Sequence, residues 1–420
     1  MPYVISIADD LSGAAETAAA LAGLPSGEPG ASDADPFTGR DADGALRGAG
    51  RAVVLSPAPL VLPDRRVVVL DTDSRAVPAS EAAASAVAAV GRAFAGAGGN
   101  GPAVVFKKLD SMLRGNTTAE LRAIAGRWPL VLAPALPVQG RTVADGTLTV
   151  GDARHRLADL LPDDTTAPVA LRDVRGSVRE LTAAIQSALD AGLTAIVDAE
   201  TDADLDAVAR ATAEFSRVVL AGSGGLAAAI GRRLPHGGSH AVTQRDGAAP
   251  TGLPRRVVTV VGTAETGARR QLEALRDAGV AVHLLAGDAL LGGTVRPDDR
   301  SDDGDVAYAI DGPMHRDEEV RQRLALALAV HVLAAHPDAD LVATGGQTAK
   351  ALLTVLGESM LFPVFVVHPG AIINMDSTGR VFATRPGSFG SSDSLARMRE
   401  AVTLLRTRAA PRTTTRKALQ

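Results

Sequence analysis

Residues 4–22 of the chain, VISIADDLSGAAETAAALA, join a short β-branched run to a long alanine-rich segment through two adjacent aspartates. The run Val4–Ile7 has the length and composition of a buried strand, and the alanine-rich segment has those of a helix. The same succession of strand and helix recurs to the end of the chain, and most of the predicted strands are continuous apolar runs. This pattern is typical of an α/β fold in which parallel strands are covered by helices on both faces.

A segment of linker composition divides this succession into two series. Residues 236–254, which contain HGGSH and DGAAPTGLP, are rich in glycine, proline and polar residues. We therefore predict two domains, over residues 1–235 and 255–405, joined by a linker over 236–254, each a mostly parallel sheet flanked by helices. Residues 406–420 carry several basic residues and no acid, and we predict that they form a solvated tail. We expect the active site in the cleft between the two domains.

The composition excludes several classes of function. The chain has 43 Lys and Arg against 48 Asp and Glu, a net charge of −5, which argues against a dedicated nucleic-acid binder. It has no cysteine, which removes disulfides, thiolate metal sites and cysteine nucleophiles. No signal-peptide core would carry Asp9 and Asp10, and no uncharged apolar run reaches the roughly 18 residues of a membrane span. We expect a cytoplasmic protein that binds neither nucleic acid nor membrane. The sequence does not decide whether it forms a homo-oligomer.

Polar residues follow the predicted strands of the first series, at the sheet edge where open parallel sheets bind ligands. Asp9 and Asp10 follow the first strand, with Ser12 as the predicted helix N-cap. These two carboxylates suit substrate hydroxyls, a metal ion or a proton in transit, although one of them could simply cap the helix. A second polar run, residues 71–75, follows the strand Val67–Leu70.

The densest group of candidate site residues is KKLDSMLRGN, residues 107–116, again directly after a predicted strand. Arg114 can clasp a carboxylate or phosphate through its planar fork, and Lys108 adds a point charge. Arg141, in the segment after the strand Leu130–Ala133, is a second candidate for such a clasp. These residue types suit a polyhydroxylated anion.

The strand ends of the second series are rich in glycine instead of charge. The turns are Gly262–Thr266, Gly345–Thr348 and Arg385–Gly390, each followed by a predicted helix. Glycines let the backbone approach a ligand, and helix N-termini offer free N–H groups, so three such turns predict a nucleotide-phosphate site. The P-loop, the G-x-S-x-G elbow and metal-ligand histidine spacing are missing from the sequence, and no G-x-G-x-x-G fingerprint follows the first predicted strand. Together the two series predict phosphoryl transfer from a nucleotide to a small hydroxylated acid, with magnesium between them.

The same segments resemble one family, the four-carbon acid sugar kinases. IADDLSGAAET (7–17), KKLDSMLRGN (107–116), VQGRTVADGTL (138–148), ATGGQTAKALL (343–353), HPGAII (368–373) and TRPGSFGSSDSL (384–395) are similar to its motifs, in order and over nearly the whole chain. The resemblance implies an ATP- and Mg²⁺-dependent kinase that phosphorylates the terminal hydroxyl of threonate, erythronate or a 3-oxo-tetronate. The first domain would bind the acid and the second ATP.

The predicted site residues follow from the resemblance and from the strand ends together. The predicted catalytic residues are Asp10 and Asp110, between which the sequence does not choose. The substrate-binding residues are Asp9, Lys108, Ser111, Arg114, Gly115 and Arg141, and the ATP-binding residues are Thr263, Gly345, Gly346, Gln347, Thr348, Gly387 and Gly390. Metal ligands are not assigned.

The chain departs from the family pattern at Ser12, Met112, Gln347 and Arg385. Met112 stands where the family has a threonine, and Gln347 where it has an acid. These departures leave two alternatives open: a kinase of the same fold that acts on another hydroxy acid, and a non-catalytic relative that binds a sugar acid or a nucleotide. An oxidoreductase is a more distant alternative.

Overall fold

The computed structural model of this chain describes residues 4–24, 26–27, 52–56, 65–95, 104–234, 255–262, 266–295, 304–313, 315–387 and 390–409. They form two compact units, one built mainly from residues before 241 and the other mainly from residues after it. Two short segments depart from this order: residues 359–363 belong to the first unit, and residues 26–27 belong to the second. The predicted linker lies outside the described residues, and the predicted domain limits stay a prediction.

The strands are β1 (Val4–Ala8), β2 (Ala52–Leu55), β3 (Val67–Asp71), β4 (Val104–Lys108), β5 (Leu130–Ala133), β6 (Thr142–Ala144), β7 (Thr147–Val150), β8 (Ala153–Arg156), β9 (Thr166–Val169), β10 (Thr194–Val197), β11 (Val219–Gly222), β12 (Val257–Val261), β13 (Ala281–Ala286), β14 (Val306–Asp311), β15 (Asp340–Thr344), β16 (Met360–His368), β17 (Ala371–Asp376) and β18 (Val381–Arg385). The helices are α1 (Leu11–Leu21), α2 (Ala79–Ala95), α3 (Thr117–Ala125), α4 (Leu171–Val174), α5 (Val178–Asp190), α6 (Asp202–Ala211), α7 (Gly224–Arg233), α8 (Thr266–Asp277), α9 (Gly287–Leu291), α10 (Glu318–Ala335), α11 (Gly346–Leu356) and α12 (Ser394–Ala409), with short 3-10 turns at Pro137–Gln139 and Leu157–Leu160.

The first unit contains a parallel sheet in the order β2-β3-β1-β4-β11-β5-β10-β9. Val4 to Ala8 of its central strand are completely buried, as continuous apolar strands covered on both faces should be. At the outer edge, Met360 and Leu361 of β16 pair antiparallel with Leu55 and Val54 of β2. A small antiparallel sheet, β6-β7-β8, follows the loop after β5.

The second unit contains the parallel order β13-β14-β12-β15-β18, with β17 antiparallel to β18. Both units are therefore α/β units with mostly parallel sheets, which confirms the predicted fold class. The parallel strands end at one edge of each sheet, and that edge carries the predicted site residues.

The predicted start of the basic tail at Arg406 is wrong. The helix α12 continues through Ala409, and Arg406 is buried within it. Its Nε and Nη2 each donate to Asp340 at 2.6 Å. The acid that neutralises Arg406 comes from β15, far away in the sequence, so a local count of charges could not reveal it.

Candidate functional site

The two aspartates after β1 have different roles. Asp10 is the N-cap of α1, and its Oδ1 accepts a hydrogen bond of 2.7 Å from the N–H of Gly13. The prediction of Ser12 as N-cap is therefore wrong; Ser12 is buried in the first turn of the helix. A Cβ at Gly13 would lie 2.6 Å from the Asp10 oxygen, so the close approach requires glycine.

Arg75, from the loop after β3, binds both carboxylates of this turn. Its Nε and Nη2 donate to the two oxygens of Asp9 at 2.8 and 3.0 Å, and its Nη1 donates to Asp10 Oδ2 at 2.6 Å. Bidentate pairs of this kind fix geometry as well as charge. Arg75 is not among the predicted site residues, although the polar run 71–75 at a strand end was the signal for it.

Asp110 organises the loop after β4. Nε and Nη2 of Arg114 donate to its two oxygens at 3.0 and 2.9 Å, and the N–H groups of Met112 and Arg114 donate to its Oδ2 at 3.1 Å. These bonds hold Leu113 at a φ of 57°, a left-handed conformation that costs about 1–2 kcal/mol in a residue with a side chain. Two nitrogens of the Arg114 fork are paired with Asp110, and the role of Arg114 in binding an anion stays a prediction.

Arg75 also joins the two parts of the site, since its Nη2 lies 3.9 Å from Asp110 Oδ1. We call Asp9, Asp10, Arg75, Asp110 and Arg114 the carboxylate–guanidinium cluster. Gly115, with a φ of 79°, packs against it, because a Cβ there would lie 3.2 Å from Arg75 Cγ and 3.3 Å from Asp9 Oδ2.

Lys108 and Arg141 border the cluster. Lys108 Nζ donates to the carbonyl oxygen of Leu109 at 3.0 Å and lies 3.4 Å from Glu16 Oε2, a carboxylate on α1 that was not predicted. Arg141 donates to the hydroxyl of Ser111 and pairs with no carboxylate among the residues that the structure describes. Arg141 is thus a cation available to an anionic ligand. The structure brings together all the predicted acid-site residues: Asp9, Asp10, Lys108, Asp110, Ser111, Arg114, Gly115 and Arg141.

The three aspartates of the cluster differ in pKa. Burial raises the pKa of Asp10 above its ordinary value, and Asp9 adds to this rise although Arg75 opposes it. Burial also acts on Asp9, but Arg75 and two lysines outweigh it and lower the pKa of Asp9. The pKa of Asp110 is well below its usual range because bonds and charge from Arg114 and Arg75 exceed the effect of its burial. Asp10 is therefore the carboxylate best suited to accept a proton.

The second unit has a cavity of about 180 Å³ at the carboxyl ends of its parallel strands. Gly262 follows β12, Gly345 follows β15, and Gly387 follows β18. The lining residues are Gly262, Ile310, Pro313, His315, Arg321, Leu324, Ala325, Thr344, Gly345, Gly346, Gln347, Thr348 and Gly387. Of the predicted nucleotide-site residues, the cavity thus collects Gly345, Gly346, Gln347, Thr348 and Gly387.

Glycine shapes this cavity at two positions. A Cβ at Gly262 would lie 2.1 Å from Thr348 Oγ1, a distance at which the two atoms would overlap. Gly345 has a φ of 95° and is the N-cap of α11, which starts at the cavity. The first N–H groups of a helix have no partner within the helix. The buried hydroxyl of Thr344, next to this helix start in the chain, also has no hydrogen-bond partner among the residues that the structure describes.

One predicted nucleotide-site residue lies elsewhere, and another lies outside the described residues. Gly390 is not a lining residue; it packs against Ser394 and His368, and a Cβ there would lie 2.4 Å from Ser394 Oγ. Thr263 lies outside the described residues. Arg385 is fully buried and donates to Gln271.

Comparison with known proteins decides the family of the chain. The family model described as a sugar-binding N-terminal domain matches residues 4–230. A protein of Bordetella bronchiseptica named D-threonate kinase is 30% identical, over 96% of this chain and 98% of its own length. A protein of Cupriavidus necator with the same name is 31% identical, over 94% and 97%. This chain belongs to the four-carbon acid sugar kinase family. The predicted family is thereby confirmed.

A solved structure shares the fold of this chain as well. A protein from Haemophilus influenzae is similar to this chain with a TM-score of 0.65 and 20% identity, over 95% of this chain and all of its own. At that identity the likeness supports the α/β fold alone.

Among the described residues, no three or more His, Asp or Glu side chains are placed to bind a metal ion. No helix within the described ranges is long and apolar enough to cross a membrane. The cytoplasmic location stays a prediction.

Proposed function

We propose that this protein is an ATP-dependent kinase that phosphorylates the terminal hydroxyl of a four-carbon sugar acid of the threonate, erythronate or 3-oxo-tetronate type. The observation that carries the proposal is the carboxylate–guanidinium cluster, which lies in the segment matched by the sugar-binding family model. The near-full-length likeness to D-threonate kinases and the glycine-lined cavity add to it.

In this proposal the oxygen of the acid's hydroxyl attacks the γ-phosphorus of ATP. The bond from that phosphorus to the β,γ-bridging oxygen breaks, ADP leaves, and Asp10 takes the hydroxyl proton. Arg75 keeps Asp10 in place, and Arg141 binds the carboxylate of the acid. Asp110 stays ionised and shapes its loop, so its predicted role as an alternative base is less favoured.

The phosphates of ATP would bind at the start of α11, whose first residues line the cavity and whose first N–H groups have no partner within the helix. The cavity lining has hydroxyl groups but no carboxylate. Mg²⁺ keeps several waters and is commonly held through substrate phosphates with one or two protein ligands. We therefore propose that Mg²⁺ arrives with the nucleotide, where it neutralises charge on the phosphates. Gln347 donates a hydrogen bond to Glu318, so one carboxylate lies beside the turn Gly345–Thr348 although it is not a lining residue of the cavity.

The deciding experiment is mass spectrometry after incubation with ATP, Mg²⁺ and a panel of threonate, erythronate and 3-oxo-tetronate stereoisomers. A phosphoryl group on one of these acids is the expected result. No product from a protein that still binds ATP would favour another hydroxy acid as acceptor. No product and no ATP binding would favour a non-catalytic relative.

Replacing Arg141 by alanine should raise the KM for the sugar acid and leave the KM for ATP unchanged. A charge-assisted bond contributes about 1.5–3 kcal/mol, which corresponds to roughly a 10- to 150-fold rise in KM. Steady-state kinetics with each substrate varied in turn measures it. Arg154→Ala, at an exposed arginine of the small sheet that follows Arg141 in the chain, is the control and should change neither constant. Equal rises in both KM values would contradict the assigned role.

Gly262→Ala should weaken ATP binding at least about tenfold, because its Cβ would overlap Thr348 Oγ1 and displace the start of α11. The double variant Gly262→Ala/Thr348→Ala should regain much of the binding, since the nearest remaining side-chain atom, the Cβ of residue 348, would be 3.3 Å away. Calorimetry with ATP measures both. A Gly262→Ala protein with normal ATP affinity would remove the cavity from the proposal.

A further inference from the structure

A chain of buried polar groups lies behind the carboxylate–guanidinium cluster. Lys107 and Glu120 have exposed fractions of 0% and 2%, and Lys107 Nζ lies 2.9 Å from Glu120 Oε2. The other oxygen of Glu120 accepts a hydrogen bond of 2.8 Å from the hydroxyl of Ser74, which is also fully buried. Glu120 therefore links β4 and α3 to the loop after β3.

That loop is bound on its other side to the aspartate turn. The N–H groups of Ser74 and Arg75 donate to the carbonyl oxygen of Asp9 at 3.0 and 3.1 Å. Asn116, at the start of α3, donates to the carbonyl oxygen of Ser74 at 2.8 Å. The backbone of Arg75 is thus fixed by the same turn whose carboxylates its side chain binds, and α3 holds the loop against that turn.

Stability alone does not account for a charged pair at this depth. Removing a lysine and a glutamate from water costs free energy. Apolar residues of similar volume at such positions commonly give a protein of equal or greater stability. The pair does have a local electrostatic effect, since Lys107 is one of the charges that lower the pKa of Asp9. Its connection through Ser74 leads directly to Arg75.

We propose that Glu120 is a positioning residue for the phosphoryl transfer, which it serves by holding Ser74 and, through Ser74, the guanidinium of Arg75 on Asp9 and Asp10. Its kinetic consequence rests on the proposed function, whereas its structural consequence does not. Neither Glu120 nor Ser74 touches the substrate in this proposal. Their loss acts on Asp10 by loosening Arg75.

The charged groups that face Asp10 set the direction of the effect. Arg75 approaches from the loop after β3, Lys108 from β4, Arg114 from the loop after β4, and Asp9 from the same turn. Of these groups, Arg75 lowers the pKa of Asp10 the most, and so opposes the rise that burial causes. Looser contact with Arg75 therefore raises the pKa of Asp10 further.

The test is Ser74→Ala, which removes one hydroxyl, with Glu120→Gln as the second variant. Titration of the carboxyl carbons by ¹³C NMR, with the Asp10 signal assigned from Asp10→Asn, should show a higher midpoint for Asp10 in both variants. The kcat should fall about tenfold, the acidic limb of its pH profile should move to higher pH, and the KM for ATP should stay unchanged. Thr212→Val, which removes another buried hydroxyl of the first unit, is the matched control and should shift neither midpoint nor limb.

If Asp10 titrates in both variants as it does in the wild-type protein, and the pH profiles of kcat are also unchanged, the proposal is overturned. A loss of kcat without any change in the Asp10 midpoint would also overturn it, because a merely structural defect gives that result. If the wild-type protein phosphorylates no acid in the panel, the proposed function fails, and the NMR midpoints alone decide the role of Glu120.

Discussion

Asp10→Asn is expected to lower kcat by about 10²- to 10⁴-fold, the range that general-base catalysis supplies, with little change in either KM. Asparagine keeps an oxygen for the N–H of Gly13 and so preserves the helix cap, but it cannot take a proton. The loss should therefore be one of chemistry and not of folding. Rapid-quench measurement of phosphoryl transfer, together with thermal unfolding, separates the two.

The pH dependence provides the control for this prediction. A base must be deprotonated to act, so kcat of the wild-type enzyme should fall as the pH drops through the pKa of Asp10. Because burial raises that pKa, the fall should occur above the ordinary carboxyl range near 3.9. The residual activity of Asp10→Asn should lack this limb. If Asp110→Asn removes the limb and Asp10→Asn keeps it, the assignment of the base is reversed.

Arg406→Met is expected to lower the free energy of unfolding by about 3–5 kcal/mol, since it removes the ion-pair partner of the buried Asp340 carboxylate. Urea unfolding monitored by circular dichroism measures this change. Arg399→Met is the matched control: its ion pair with Asp305 is partly exposed, and such pairs contribute at most about 1 kcal/mol. Adding Asp340→Asn to Arg406→Met should recover part of the loss. Equal effects of Arg406→Met and Arg399→Met would contradict the importance of burial.

Local sequence pattern predicts the fold well because the parallel strands are continuous apolar runs. The predicted strand Leu130–Ala133 has the same bounds in the structure, and the predicted strands Val4–Ile7 and Val67–Leu70 each extend by one residue. The strands β6, β7 and β8 have mixed polar composition, and β8 is fully exposed, so their pairing gives no apolar signal. The sequence therefore does not predict these three strands.

The sequence predicts which residue types form the candidate site, but it does not predict which arginine binds which aspartate. Charged residues at the ends of β1 and β4 are visible in the sequence, and the structure brings them together. The choice of partners is a tertiary property: Arg114 binds Asp110 within its own loop, whereas Arg75 crosses to Asp9 from another strand. The contact between Arg75 and Asp9 depends on the strand order β3-β1-β4, which places β3 beside β1. The spacing of the residues in the sequence does not reveal this order.

The pairing of Met360 and Leu361 with β2 has a practical consequence for dividing the chain. A fragment that stopped at the predicted linker would contain every residue of the carboxylate–guanidinium cluster but not these two late residues. The free N–H and C=O groups of Leu55 and Val54 would then form an open β-edge, which is a ready template for self-association. Expression of the half matched by the sugar-binding family model thus calls for a grafted strand or a charged substitution on β2, because the first unit contains residues from both sides of the predicted linker.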